Sequence, residues 1–166
     1  MRYFCFDSEA DGLYGEVFAI AAVAAEADGR VTDRFAAAYA APGVTDPWTS
    51  EHCLPLPDSY VLFESREGLL NAFWDFYLRF RDDCVIVADV PYPVEAELLR
   101  ACVALDTETR AELAPYPLID AASVLFAHGI DPNIDRYEFS GASGKKHDPL
   151  SDAEASLKCM LKLMAK

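Results

Sequence analysis

Basic residues are scarce in this sequence: 14 Lys and Arg stand against 28 Asp and Glu over 166 residues, a formal net charge of −14. Affinity for long nucleic acid comes largely from Lys and Arg neutralising phosphates, so this balance excludes a broad electrostatic grip on a polyanion. A phosphate-bearing ligand has to be held locally, through bound cations. Paired cysteines are missing as well. Cys5, Cys53, Cys84, Cys102 and Cys159 are scattered and odd in number, with no CxxC and no histidine at a zinc-binding spacing, which predicts reduced and mostly buried thiols. No apolar run reaches the roughly 20 residues that a membrane span needs, and the amino terminus has no basic stretch followed by an apolar segment. A cytoplasmic protein is expected. No internal repeat, low-complexity tract or linker interrupts the chain, which reads as a single domain over residues 1–166 with enough apolar content, 52%, to bury a core.

What is present begins at the opening stretch, Arg2-Tyr3-Phe4-Cys5-Phe6-Asp7-Ser8-Glu9-Ala10-Asp11-Gly12-Leu13. An aromatic run of strand type ends in two carboxylates one residue apart, and alternation along a strand projects Asp7 and Glu9 from one face. Like charges that close repel unless a cation lies between them. A divalent ion taking hard oxygen donors, Mg²⁺ or Mn²⁺, fits the residue types, since no His or Cys accompanies them on that face. The alternative is a strand that runs out into a polar turn at Asp11-Gly12.

Further along, residues 16–25 and 31–41 form two more apolar runs separated by the turn signal Asp28-Gly29, which predicts an antiparallel meander. Their alanine content would also suit helices. Residues 42–62 carry Pro42, Pro47, Pro55 and Pro57 and read as a long loop. Leu69, Leu70, Phe73, Phe76, Tyr77 and Phe80 recur at helical spacing behind a cap near Ser65. Residues 84–88 have the pattern of a strand buried on both faces, ending at Asp89. A helix over 94–105, a brief strand over 117–120 and a helix over 121–127 complete a βαβ arrangement. Residues 128–146 read as a loop or lid ahead of a last amphipathic helix running from about Pro149 towards Met164. Together these elements predict an α/β fold with a mixed five-stranded sheet flanked by helices.

Two motifs carry a resemblance. Phe6-Asp7-Ser8-Glu9-Ala10-Asp11-Gly12-Leu13 resembles the first motif, FD-x-E-x-x-G, of the DnaQ-like (DEDDh) 3′-5′ exonucleases. His147-Asp148-Pro149-Leu150-Ser151-Asp152-Ala153 resembles their third motif in its histidine form, H-x4-D followed by Ala. The order of elements is similar to that family's ribonuclease H-like sheet, and Tyr116-Pro117-Leu118-Ile119-Asp120 resembles the strand before its lid. The middle motif departs from the pattern. The family has a strand ending in Asn, a short turn and a metal-binding Asp at the head of the next helix, whereas here the strand ends in Asp89 and the helix head is Glu95, followed by Leu98 and Leu99. Asp89 keeps the residue type and is the first choice of the two; Glu95 keeps the register. Either also suits a helix cap.

The resemblance implies metal-assisted phosphodiester hydrolysis at the 3′ ends of short single-stranded DNA or RNA. Asp7, Glu9, Asp152 and either Asp89 or Glu95 would hold two divalent ions, Mg²⁺ or Mn²⁺, and His147 would take a proton from the attacking water. Lys145 and Lys146 beside it are equally a phosphate contact or a solvated loop. His52 and His128 have no such company in the sequence, Tyr137 does not match the family's tyrosine variant, and Asp11, Asp120 and Asp148 read as turn, cap or supporting residues. Two other functions fit the composition: a binding module of the same fold without catalysis, and a hydrolase of small phosphodiesters or nucleotides. A homodimer is compatible with the sequence.

Overall fold

Strand β1 (Arg2–Ala10) is the axis of the molecule in the computed structural model, which describes residues 1–165. It pairs antiparallel with β2 (Val17–Ala25) on one side and parallel with β5 (Cys84–Ala88) on the other. With β3 (Val31–Tyr39), β4 (Val61–Phe63) and β6 (Ile119–Asp120) it forms one mixed sheet in the order β4-β3-β2-β1-β5-β6.

Alternation along β1 sorts its side chains between two cores. Phe4 and Phe6 point to the face covered by α2 (Arg66–Leu78) and α3 (Val94–Ala104), where they meet Leu69, Phe73, Trp74, Tyr77 and Leu98. Each such fully buried side chain contributes about 1.5–3 kcal/mol. Tyr3 and Cys5 point to the opposite face, onto α5 (Ala121–Ala127) and α7 (Pro149–Met164), packing with Ala121, Ala153, Leu157 and Met160. Every residue of β2 is buried. That explains why a strand can be so rich in alanine: small side chains on both faces let the covering helices approach closely, and this tertiary gain outweighs alanine's helical preference.

Helix α2 starts where expected, with the Ser65 hydroxyl accepting from Gly68 N–H at 3.1 Å. The sheet, however, has six strands and not five. The extra strand comes from the proline-rich segment read as a loop, which folds into α1 (Pro47–His52) and then lays residues 61–63 parallel to β3, pairing Ala37 with Val61 and Tyr39 with Phe63. Prolines punctuate that segment without preventing a three-residue edge strand, because none falls on its pairing positions. Segment 128–146 likewise carries a short helix, α6 (Arg136–Ser140), packed against α7. A further turn of helix, α4 (Thr107–Arg110), follows α3. The five thiols are free, and all but Cys84 are buried. No described helix is long and apolar enough to cross a membrane.

Candidate functional site

Because Asp7 and Glu9 continue the Tyr3 and Cys5 row, period two carries them onto the face of the sheet that α7 covers. Their cross-strand partners in β2 are Ala21 and Ala19, whose small side chains leave room above the carboxylates. A register shift between Glu9 and Ala10 ends the regular pairing there, the kind of irregularity that re-aims side chains at a strand end.

The head of α7 comes down on the same spot. Asp148 precedes its first turn, and the Asp148 carboxylate accepts from Tyr60 Oη–H at 2.6 Å and Ser151 Oγ–H at 2.6 Å, while Tyr60 Oη accepts from Leu150 N–H at 3.0 Å. Asp152, in the first turn, uses both oxygens: Oδ1 accepts from Tyr137 Oη–H at 2.7 Å, and Oδ2 from the backbone N–H of His147 at 2.8 Å. His147 has φ 61°, left-handed backbone that non-glycine residues seldom adopt. Its ring meets Trp48 edge-on at 4.9 Å, and Trp48 is stacked on His52 at 4.5 Å. One ligand atom each from Glu9, His147 and Asp152 lies within 4.8 Å of the others.

Asp11 organises the wall on the other side. It accepts from Thr45 N–H, Thr45 Oγ1–H and Asp46 N–H, and Asp46 in turn caps α1. This holds Trp48, Thr49 and Cys53 against the end of β1, with the Cys53 thiol donating to Glu9 Oε2 at 3.1 Å.

The two middle carboxylates have different company. Glu95, 5% exposed in the first turn of α3, accepts from Ser8 N–H at 3.1 Å and Ser8 Oγ–H at 2.9 Å. The β1–β5 ladder stops at Cys5 and Val87, so Ser8 N–H lies beyond the end of β5 and the carboxylate takes the place of a neighbouring strand. Asp89 instead faces Arg136 of α6, with Nε at 2.7 Å from Oδ2 and Nη2 donating to Oδ1 at 2.9 Å. Both raise the Asp7 carboxyl by repulsion, Glu95 more than Asp89, but Asp89 already has a cation of its own.

Burial first, then repulsion from Glu95, Asp152, Glu9 and Asp89 in that order, holds the Asp7 carboxyl well above the usual range. Glu9 and Glu95 are each pushed up to about 7, chiefly by burial. Asp152 rises to about 6 for the same reason, against the Tyr137 hydrogen bond that pulls it down. A donor set of four carboxylate oxygens in mutual repulsion fits a hard divalent cation, and Asp7, Glu9, Glu95 and Asp152 could hold one or two. His147 is shifted the other way, downward, by burial and then by His52, Lys146 and Lys145, so it is a neutral proton acceptor near pH 7.

These shifts fix a sign for stability. Raised carboxyls bind protons in the folded state that the unfolded chain has released, so the metal-free protein loses stability as pH rises from about 4 to about 7. Asp11, Asp106 and Asp135 are lowered by hydrogen bonds to Asp46, Thr109 and Lys146 respectively, and act only below that window. In EDTA, thermal melts should show Tm falling by roughly 5 °C or more between pH 5 and 7.5, with Mg²⁺ or Mn²⁺ restoring it at the upper end. A metal-free Tm that stays level or climbs over that interval would contradict the electrostatic account.

No protein-family model matches this chain, and no curated protein matches it.

Of the residues singled out from sequence, Asp7, Asp89, His147 and Asp152 line one cleft of about 230 Å³ with Arg136, Tyr137 and Ser156; Glu9 meets His147 and Asp152 beside it, and Glu95 acts on Asp7 from outside its lining. Asp120 caps α5, accepting from Ala122 N–H and Ser123 N–H, as its position suggested. His128 ends α5, but His52 does have company: its ring lies 6.2 Å from that of His147. Sequence reading also set Tyr137 aside and missed Arg136, Cys53, Tyr60 and Trp48 as site residues. Spacing between Trp48 and His52, one helical turn, was the available signal for the stacked pair. Tyr137, Arg136 and Tyr60 reach the site only through tertiary contacts. Lys146 is engaged by Asp135, and Lys145 is exposed at the mouth, where its charge opposes the burial that raises Glu9.

Proposed function

We propose that this protein is a metal-dependent phosphodiester hydrolase of the DnaQ-like type, with a ribonuclease H-like arrangement of its sheet, acting at the 3′ ends of short single-stranded DNA or RNA. The observation that carries this reading is the cluster of Glu9 from β1 with His147 and Asp152 at the head of α7, beside Asp7, whose carboxyl is raised by the charges of Glu95 and Asp152, residues far apart in sequence. Glu95 fits the fourth ligand position better than Asp89, whose charge is met by Arg136.

Divalent ions bound there supply Lewis-acid stabilisation of the phosphoryl oxygens and lower the pKa of a bound water. His147 would accept the proton that the attacking water loses as the new O–P bond forms and the P–O3′ bond breaks; the departing 3′-oxygen takes a proton from solvent water, leaving a shortened strand with a 3′-hydroxyl and a mononucleotide with its 5′-phosphate. Tyr137 and the His147 backbone fix the orientation of Asp152. A second cleft of about 350 Å³, lined by Glu9, Ala10, Gly12, Leu13, Trp48 and Val94, offers an apolar seat for a terminal base. The surrounding surface is acidic, so binding rests on the last one or two phosphates.

The test is incubation of purified protein with end-labelled DNA and RNA of several lengths in Mg²⁺, Mn²⁺ or EDTA. Products shortened one nucleotide at a time, at similar rates for short and long single strands and absent in EDTA, are the expected result. Folded protein that releases no mononucleotides with either ion would end the nuclease assignment.

A further inference from the structure

One donor at this site, the His147 imidazole, differs in kind from the carboxylates around it. Glu9, His147 and Asp152 bring an imidazole nitrogen and two carboxylate oxygens within 4.8 Å of one another. Donors around 2.0–2.2 Å from a common ion lie roughly 3–4 Å apart, so a side-chain adjustment of about 1 Å at most would gather them. Two of the three are already restrained. Asp152 is held by Tyr137 and by the His147 backbone, and the His147 ring is held against the Trp48 edge. His52 is turned elsewhere, with Nδ1 at 2.8 Å from Trp48 O and its ring stacked on Trp48.

We propose that Glu9, His147 and Asp152 form a zinc-type site that competes with the productive state: a borderline ion such as Zn²⁺ binds through the His147 ring and shuts the site down. This rests on the reading of the cleft as a metal centre. Mixed N,O,O donor sets favour Zn²⁺ over Mg²⁺, which keeps to oxygen and water. The ring lone pair that would coordinate zinc is the one that takes the proton in hydrolysis, so the two uses exclude each other. The same residues thus work with Mg²⁺ or Mn²⁺ and are blocked by Zn²⁺.

Isothermal titration of the metal-free protein with Zn²⁺, Mn²⁺ and Mg²⁺, without substrate, tests this directly. Zinc should bind far more tightly than magnesium, and His147→Asn should weaken zinc roughly 10- to 100-fold or more while leaving Mn²⁺ affinity nearly unchanged. Asn is the chosen replacement because it tolerates the left-handed backbone at 147; His147→Gln serves as a second variant, and thermal melts check that both fold. Ring-nitrogen shifts of His147 by NMR should move with zinc and not with magnesium. Cys53, whose thiol touches Glu9, is the competing ligand. Zinc affinity lost in Cys53→Ser and kept in His147→Asn, or a thiolate charge-transfer band on Co²⁺ binding, would overturn the proposal. Mn²⁺ binding with no zinc preference sinks this inference alone; no binding of any divalent ion sinks the metal centre with it.

Discussion

Replacing His147 by Asn should lower mononucleotide release by roughly 10²- to 10⁴-fold, the loss typical of a missing general base, while Mn²⁺ still binds the folded protein. Separation of the two readouts is what gives the result its meaning. His147 contributes to the site twice: its backbone N–H holds Asp152, and its ring faces Glu9 and Asp152. Asn keeps the first role and is among the non-glycine residues that best tolerate φ near 61°. Single-turnover rates with saturating Mn²⁺, set beside Mn²⁺ titration, measure the two separately. Activity within a few-fold of wild type would remove His147 from the chemistry.

A crossed pair of variants distinguishes the middle carboxylates. Glu95→Gln should cut activity by roughly 10³ or more, since losing a ligand removes several kcal/mol of transition-state stabilisation. The same change removes a buried charge from a repelling cluster and keeps an acceptor for Ser8, so the metal-free protein should melt higher than wild type. Asp89→Asn should do the reverse. It leaves Arg136 without its counter-charge at a partly buried position, costing about 2–3 kcal/mol or roughly 5–10 °C in Tm, with metal affinity little altered. Thermal melts and Mn²⁺ titration of the two proteins give the answer. Weak metal binding in Asp89→Asn beside normal binding in Glu95→Gln would reverse the assignment.

Much of this was legible in the chain because local rules and tertiary packing agree. Asp7 and Glu9 share a face as period two requires, Ser65 caps α2, and the run 84–88 pairs beside β1 as a buried strand. Reading failed where the deciding contact is remote. Glu95 is tied to Ser8, 87 residues away, by an N–H that exists only because β5 stops short of β1, and no local pattern encodes that. Residue type favoured Asp89 for the same reason, since its engagement by Arg136 arises from a helix inside what looked like a lid. The strand at 61–63 was hidden by the prolines before it, and the Asp11 contacts that hold Thr45 and Asp46 join a segment that read as a turn to one that read as a long loop.

The central place of β1 bears on how the protein is made. The strand is made before its parallel partner β5 and the covering helix α7, so its pairing and covering require the closure of long loops. A nascent chain carries Asp7 and Glu9 without Glu95, His147 or Asp152, and so has no cradle in which a metal ion could act. On the proposed reading, the complete donor set arrives only together with the finished core. An ion held as proposed would tie β1 to α7, acting less as an aid to folding than as a latch against reopening.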